Sequence, residues 1–404
     1  MMATPPPASA RRLLPLSLGL FQGALLLFFA LFATYDEPSA AATQDEDGTR
    51  AVEQLPNLFP LFQDIQVMLA VGLGLLLAFL PRYGLSALAH NFLLLNVSTQ
   101  WALLLQGVRH GRLRLGLHNV LAAEFAAVTV LISVGAVLGR TSPCQLLAVA
   151  FCEVPVYLAS EWLVVTQLGV RDVGGTITIH VFACYFGLGV SKALFGTERR
   201  PAHPKETPTP RSDLLALGGD AHPLGFLAQL RGCARANRAI AGAVTTVVAS
   251  SLLESGGKLS LGHLQNGSLA GGVAIGALAD VPITPAASLA LGSLSSARLP
   301  ARFPISHPIP GEELSHADGS GVAGDLWGCG GGRQALWQVA GLAVALGGSL
   351  LSGMLTGAVL RLPCLAPPPE PLCFEDSLNF RIQEQAESPG MGDTAEEVAL
   401  KEEV

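Results

Sequence analysis

The chain alternates long uncharged runs with short charged breaks. In the first half, apolar runs cover residues 13–34, 62–80, 84–105, 119–138, 144–166 and 174–195. Each is close to the ~20 residues an α-helix needs to cross a bilayer. The second half is weaker. Residues 213–230 are broken by Asp220, His222 and Pro223, residues 238–253 and 266–281 are more continuous, and residues 283–297 are short. Residues 298–333 are rich in Pro, Gly and charge and hold no span, whereas residues 334–360 form a last strong run whose Gly and Ser residues permit close helix packing. The pattern predicts an all-α, polytopic transmembrane helix bundle of about ten spans.

Composition agrees. Half of the 404 residues are hydrophobic and 14% are charged, against about 25% charge in an ordinary soluble domain; mean hydropathy is +0.46. The net charge of −7 comes largely from two acidic stretches, one with Asp36, Glu37, Asp45, Glu46 and Asp47, the other at the C-terminus. No basic field invites nucleic acid. Arg82, Arg140, Lys192, Arg199, Arg200 and Lys205 fall on the same side of the predicted membrane as Arg11 and Arg12. That bias places both termini in the cytosol and loop 35–60 outside; Arg109, Arg112 and Arg114 are the exception. The resulting division is an N-terminal half, 1–195, a cytosolic linker, 196–212, a C-terminal half, 213–361, and an acidic cytosolic tail, 362–404, expected to be mostly disordered. Trp101, at the end of the third run, reads as an interfacial anchor.

The seven cysteines are scattered and read as small buried hydrophobes, with no spacing that suggests a metal or cofactor. No P-loop, zinc-hydrolase signature or nucleophile elbow is present, so an enzyme has no support. The sequons at Asn96 and Asn266 fall in or beside predicted spans, where modification is not expected.

The candidate chemistry lies in RDVGGTITIHVFACYFGLGV, residues 171–190. Asp172 precedes Val173, Gly174, Gly175 and Thr176, a sequence suited to capping the first turn of a helix with a carboxylate. His180 lies roughly 12 Å further along the same helix. An imidazole at that depth is costly unless it meets a cavity or a partner. Two readings stay open on these residues alone: a core histidine bonded to a backbone carbonyl, or a polar station in a membrane pore.

Several stretches resemble the Rh glycoproteins of the ammonium transporter (Amt/Mep/Rh) superfamily. They are FQDIQVMLAVGLG (62–74), PRYGLSALAHNFLL (81–94), QWALLLQG (100–107), LISVGAVLGR (131–140), VRDVGGTITIHVFACYFGL (170–188), LGHLQNGSLAGGVAIG (261–276) and GAVLRLPCLAPPPEPLCFEDSLNF (357–380). The resemblance implies an inverted-repeat fold, usually of eleven or twelve helices, around a narrow hydrophobic pore, with three protomers in a trimer at the plasma membrane. It implies ammonium as cargo, deprotonated at an outer vestibule and crossing as ammonia, with carbon dioxide as a second candidate. Such a scheme is physically reasonable, because a low-dielectric pore disfavours the cation over its neutral form. By motif position, Asp172 matches the carboxylate that shapes the recruitment region, His180 the first of two pore histidines, Glu161 the vestibule acid, and Phe125 one of two stacked gate aromatics. For Phe125 the plain alternative is core or lipid packing, and for Glu161 an interfacial charge in water.

The resemblance is incomplete. The family's second histidine, in an NLHG-like motif, has no counterpart; His307 and His316 lie in polar, Pro- and Gly-rich sequence and do not take its role. The helix with the second gate aromatic is replaced by DAHPLGFLAQLRGCARANRA, which holds Phe226 but not the motif. Besides a working channel, the sequence allows a non-conducting structural member that assembles with related subunits, and a gene assembly that has lost segments near 220 and 298.

Overall fold

The computed structural model describes residues 8–35, 59–110, 113–196, 203–229, 244–252, 258–276, 285–302, 332–365 and 367–380. His307 and His316 lie outside them. Every apolar run of the first half is a helix: α1 (Ala8–Phe32), α2 (Phe59–Phe79), α3 (Gly84–His110), α4 (Leu117–Gly135), α5 (Pro143–Gln167) and α6 (Thr176–Phe195). The second half supplies α7 (Pro210–Gln229), α8 (residues 244–252), α9 (Leu261–Gly276), α10 (Pro285–Arg302) and α11 (Gly332–Leu360). Among the described residues α1, α2, α4, α5, α6 and α11 are long and apolar enough to span a membrane. The only strands among them are short, β1 (Ala33–Tyr35) and β2 (Leu113–Leu115), paired in parallel with Ala33 opposite Leu113.

Helix α3 is long but dilute in apolar residues, and several of its polar side chains bond within the bundle. Asn96 and Thr99 donate to carbonyls one turn back, Asn91 donates to Leu69 O of α2, and His90 Nδ1 lies 3.2 Å from the Tyr83 hydroxyl. Trp101 is not an interfacial anchor. Its ring meets Phe21 of α1 and Phe151 of α5 edge-on, at centroid distances of 6.4 and 5.6 Å, and holds α1 against the bundle.

The core lies among α2 to α6, where Ile65, Leu69, Leu76, Leu131, Phe182 and Phe186 are fully buried. Helix α5 starts where Ser142 and Gln145 close a capping box, with Pro143 at the first helical position. Helix α11 crosses α6 at backbone contact. A Cβ on Gly353 would overlap the Phe186 carbonyl, and one on Gly357 would lie 2.6 Å from Ala193 Cβ. Gly353 and Gly357 are four apart, so both face α6, the spacing that lets membrane helices approach closely.

Within the tail expected to be disordered, residues 367–380 are ordered and strap one end of the bundle. Phe374 N donates to Gly139 O, and the Phe374 ring lies 5.3 Å from the Arg140 guanidinium. Asp376 caps α3: its carboxylate accepts from Leu85 N at 3.2 Å and Ser86 N at 2.6 Å, while its own N–H donates to Arg82 O. Lys205 holds Glu375 at 2.5 Å and also donates to Pro371 O. Arg82, Arg140 and Lys205, assigned to one side from charge bias, therefore gather at one end. Residues 381–404 of that tail lie outside the described residues; the capping Asp376 and the Phe374 wedge tie down the segment just before them.

Asp376→Ala is expected to cost about 1–2 kcal/mol through the lost cap and to make the strap sensitive to limited proteolysis. The Lys205 ammonium, by hydrogen bond, holds the Glu375 carboxyl below the usual range. A lowered carboxyl stabilises the folded form at neutral pH and loses that contribution as pH falls through its folded value. Wild-type strap cleavage should therefore rise only on acidification below the ordinary carboxylate range, a rise that Lys205→Met should remove.

Candidate functional site

Asp172 lies in the loop between α5 and α6. Its Oδ2 accepts from Ile177 N (2.9 Å), Thr178 N (2.8 Å) and the Thr178 hydroxyl (2.9 Å), so it satisfies amides that the first turn of α6 leaves open. The cap predicted from sequence is present, but the helix starts at Thr176, with a π-helical turn through Val181. Gly175 makes this possible: it sits in the left-handed region at φ 67°, and a Cβ there would lie 2.6 Å from Ile179 Cδ1. Two bonds between Gln338 of α11 and the Arg171 backbone fix the loop, and the Thr176 hydroxyl donates to Val273 O of α9. Asp172 Oδ1 is buried and makes no hydrogen bond.

His180 follows in the second turn of α6. Ile177, Ile179 and Val181 around it are buried, while His180 retains partial exposure.

Facing this part of α6 is a polar column on α5. Glu153, Tyr157 and Glu161 are four residues apart and share one helix face. Glu153 is fully buried and bonded to the Ser133 hydroxyl of α4, which also lies 2.9 Å from Ala183 O of α6. Tyr157 is 1% exposed and meets the Phe182 ring edge-on at 5.9 Å. Glu161 and the Thr129 hydroxyl of α4 are the hydrogen-bonding neighbours of its phenol, and the Asp172 carboxylate lies near enough to act on it electrostatically.

Phe125 is half-buried and packs on the core, between the buried Glu124 and Ala126. Its carbonyl accepts from the Thr129 hydroxyl at 3.0 Å, which links it to the Tyr157 neighbourhood. Asp172 and Glu161 thus converge on Tyr157, His180 lies two residues before the Phe182 that packs on it, and Phe125 joins through Thr129. The side chain of Phe226 is outside the described residues. Sequence reading missed Glu153 and Tyr157, although their one-turn spacing to Glu161 in an apolar helix was a usable signal.

A bundle of apolar helices with a half-buried, capping aspartate and a histidine about one turn into the capped helix defines a polytopic membrane protein with polar groups inside the bundle. The sequence profile of the Ammonium Transporter Family matches residues 24–305. The chain is 34% identical over 398 residues to the ammonium transporter Rh type A of Bos taurus, covering 90% of this chain and 93% of that protein. It is 33% identical over 436 residues to the Rh type B transporter of Rattus norvegicus, covering 95% and 96%. Among solved structures it is similar to Rh50 of Nitrosomonas europaea, with a TM-score of 0.68, 28% identity, and coverage of 87% of this chain and 98% of that one. The yeast Mep2 of Saccharomyces cerevisiae shares the fold at a TM-score of 0.63 and 16% identity. The chain belongs to the ammonium transporter family, in its Rh branch.

Proposed function

We propose that this protein moves ammonium-derived nitrogen across the plasma membrane, taking up the cation at the Asp172 end and passing it as neutral ammonia beside His180. The observation that carries this reading is the Asp172 carboxylate: one oxygen is spent on the first turn of α6, and the other is buried with no partner, on the helix that carries His180. An ammonium ion offers the donors that oxygen lacks, and a water-poor passage beyond favours the uncharged base. Glu161 raises the local cation concentration, and Phe125 excludes water from the passage. His180, as a neutral imidazole, hydrogen-bonds ammonia without fixed charge. Residues 1–195 and 213–361 form the two halves of the transporter, joined by the 196–212 linker, with both termini in the cytosol. The assembly is a trimer, of this chain alone or with related subunits.

One observation favours a second reading. No NLHG-like motif occurs anywhere in the sequence, so a non-conducting subunit that supports related chains is the alternative.

Proteoliposomes decide between the two. An outward-to-inward ammonium gradient should alkalinise the lumen faster than in empty vesicles, by stopped-flow fluorescence. A rate equal to that of empty vesicles would select the structural subunit. Phe125→Ala should leave the protein folded and change the rate at least ~3-fold through loss of a water-excluding ring; an unchanged rate removes Phe125 from the gate.

A further inference from the structure

We infer that Glu153 is held as a neutral carboxylic acid inside the bundle, donating its proton to Ser133 in a bridge that positions the part of α6 carrying His180. The positioning role rests on the transport reading above; the place of the proton does not. Glu153 lies near the middle of α5, a span of 25 residues, and is 0% exposed. Ser133 of α4, also buried, contacts one carboxyl oxygen of Glu153 and, at 2.9 Å, the Ala183 carbonyl of α6. The second carboxyl oxygen, Oε2, is buried without a hydrogen-bond partner. Among the described residues no cation pairs with Glu153.

Counting hydrogens decides the arrangement. A serine hydroxyl has one proton to give and lone pairs to accept another. A carbonyl cannot donate, so the Ala183 contact is a bond only if Ser133 gives its proton there. The Glu153 contact is then a bond only if the carboxyl itself carries a proton. An ionised Glu153 accepting from Ser133 would instead turn hydroxyl lone pairs towards the Ala183 oxygen. It would also leave a full charge in apolar surroundings with one oxygen bare. The bridge reaches α6 at a tight place. Ala183 is three residues past His180, about one turn. Four residues further, a Cβ on Gly187 would lie 2.5 Å from Ser133 O, so α4 and α6 meet at backbone contact. A chain of bonds from Glu153 through Ser133 to Ala183 O joins three helices there and fixes the rotation of α6 without adding a charge.

Infrared spectroscopy of the protein in lipid at neutral pH tests the proton. Wild type should show a carbonyl-stretch component of a protonated carboxyl that Glu153→Gln lacks and Ser133→Ala shifts. Identical spectra in that region would overturn the inference. The proteoliposome assay tests the positioning. Glu153→Gln offers an amide N–H to Ser133 in place of the acid proton, so its maximal rate and KM should stay within about twofold of wild type. Ser133→Ala removes the link and should lower the maximal rate ~3- to 10-fold, the scale of one hydrogen bond, with KM for ammonium unchanged because the cation is taken up at the Asp172 end. A wild-type rate in Ser133→Ala, or equal impairment of the two variants, would overturn the positioning role. Loss of the fold in Ser133→Ala would make the bridge structural and overturn that role equally. A wild type that conducts nothing would remove the transport reading and the positioning role together, while the infrared difference would still decide where the proton lies.

Discussion

Asp172→Ala is expected to reduce ammonium transport at least ~100-fold and to lower the thermal stability of the purified protein. The carboxylate satisfies two backbone amides and a hydroxyl at the start of α6. Each buried donor left without an acceptor costs about 1–3 kcal/mol, and relaxation of the turn recovers part of it. A net loss of roughly 3–5 kcal/mol is large against the marginal stability of a folded chain. Asp172→Asn keeps one carbonyl oxygen for the amides and should therefore fold better than Asp172→Ala, while still losing most transport because the charge is gone. Arg171→Gln changes an exposed neighbour and should leave both properties near wild type. Uptake rates and unfolding midpoints for the three variants form the check; if Asp172→Asn and Arg171→Gln behave alike, Asp172 has no special role.

Gly353→Val is expected to prevent accumulation of a monodisperse protein. The added side chain would press on the Phe186 carbonyl, which is backbone and cannot swing aside. Overpacking of this kind costs typically about 1–3 kcal/mol and more where backbone meets backbone. Gly347 and Gly348, on the same helix, have nothing within 4 Å of the point a Cβ would occupy. Their valine variants should tolerate the change, which separates steric contact at the α6 crossing from a general intolerance of α11 to branched residues. Size-exclusion profiles of the three variants, expressed side by side, would show the difference; equal profiles would mean that the crossing carries no such constraint.

The six helices of the first half were legible because each is a long, mostly apolar run with at most two charged residues. Capping by Asp172 was legible too, since an acidic residue followed by paired glycines suits few other roles at a helix start. The π turn that follows was not, because it depends on Gly175 taking a positive φ and on Ile179 filling the space beside it. Trp101 misled because an amphipathic ring near the end of a run suits a membrane interface and an interhelical wedge equally well. Only the positions of Phe21 and Phe151, one on α1 and one on α5, select the wedge.

The strap around Asp376 joins positions some 290 residues apart, since its carboxylate closes the first turn of α3. Domains emerge from synthesis N-terminal end first, so the α3 amides stay without this cap until residue 376 has been made. A chain cut short before residue 376 would leave a gap at the same end where Arg82, Arg140 and Lys205 congregate.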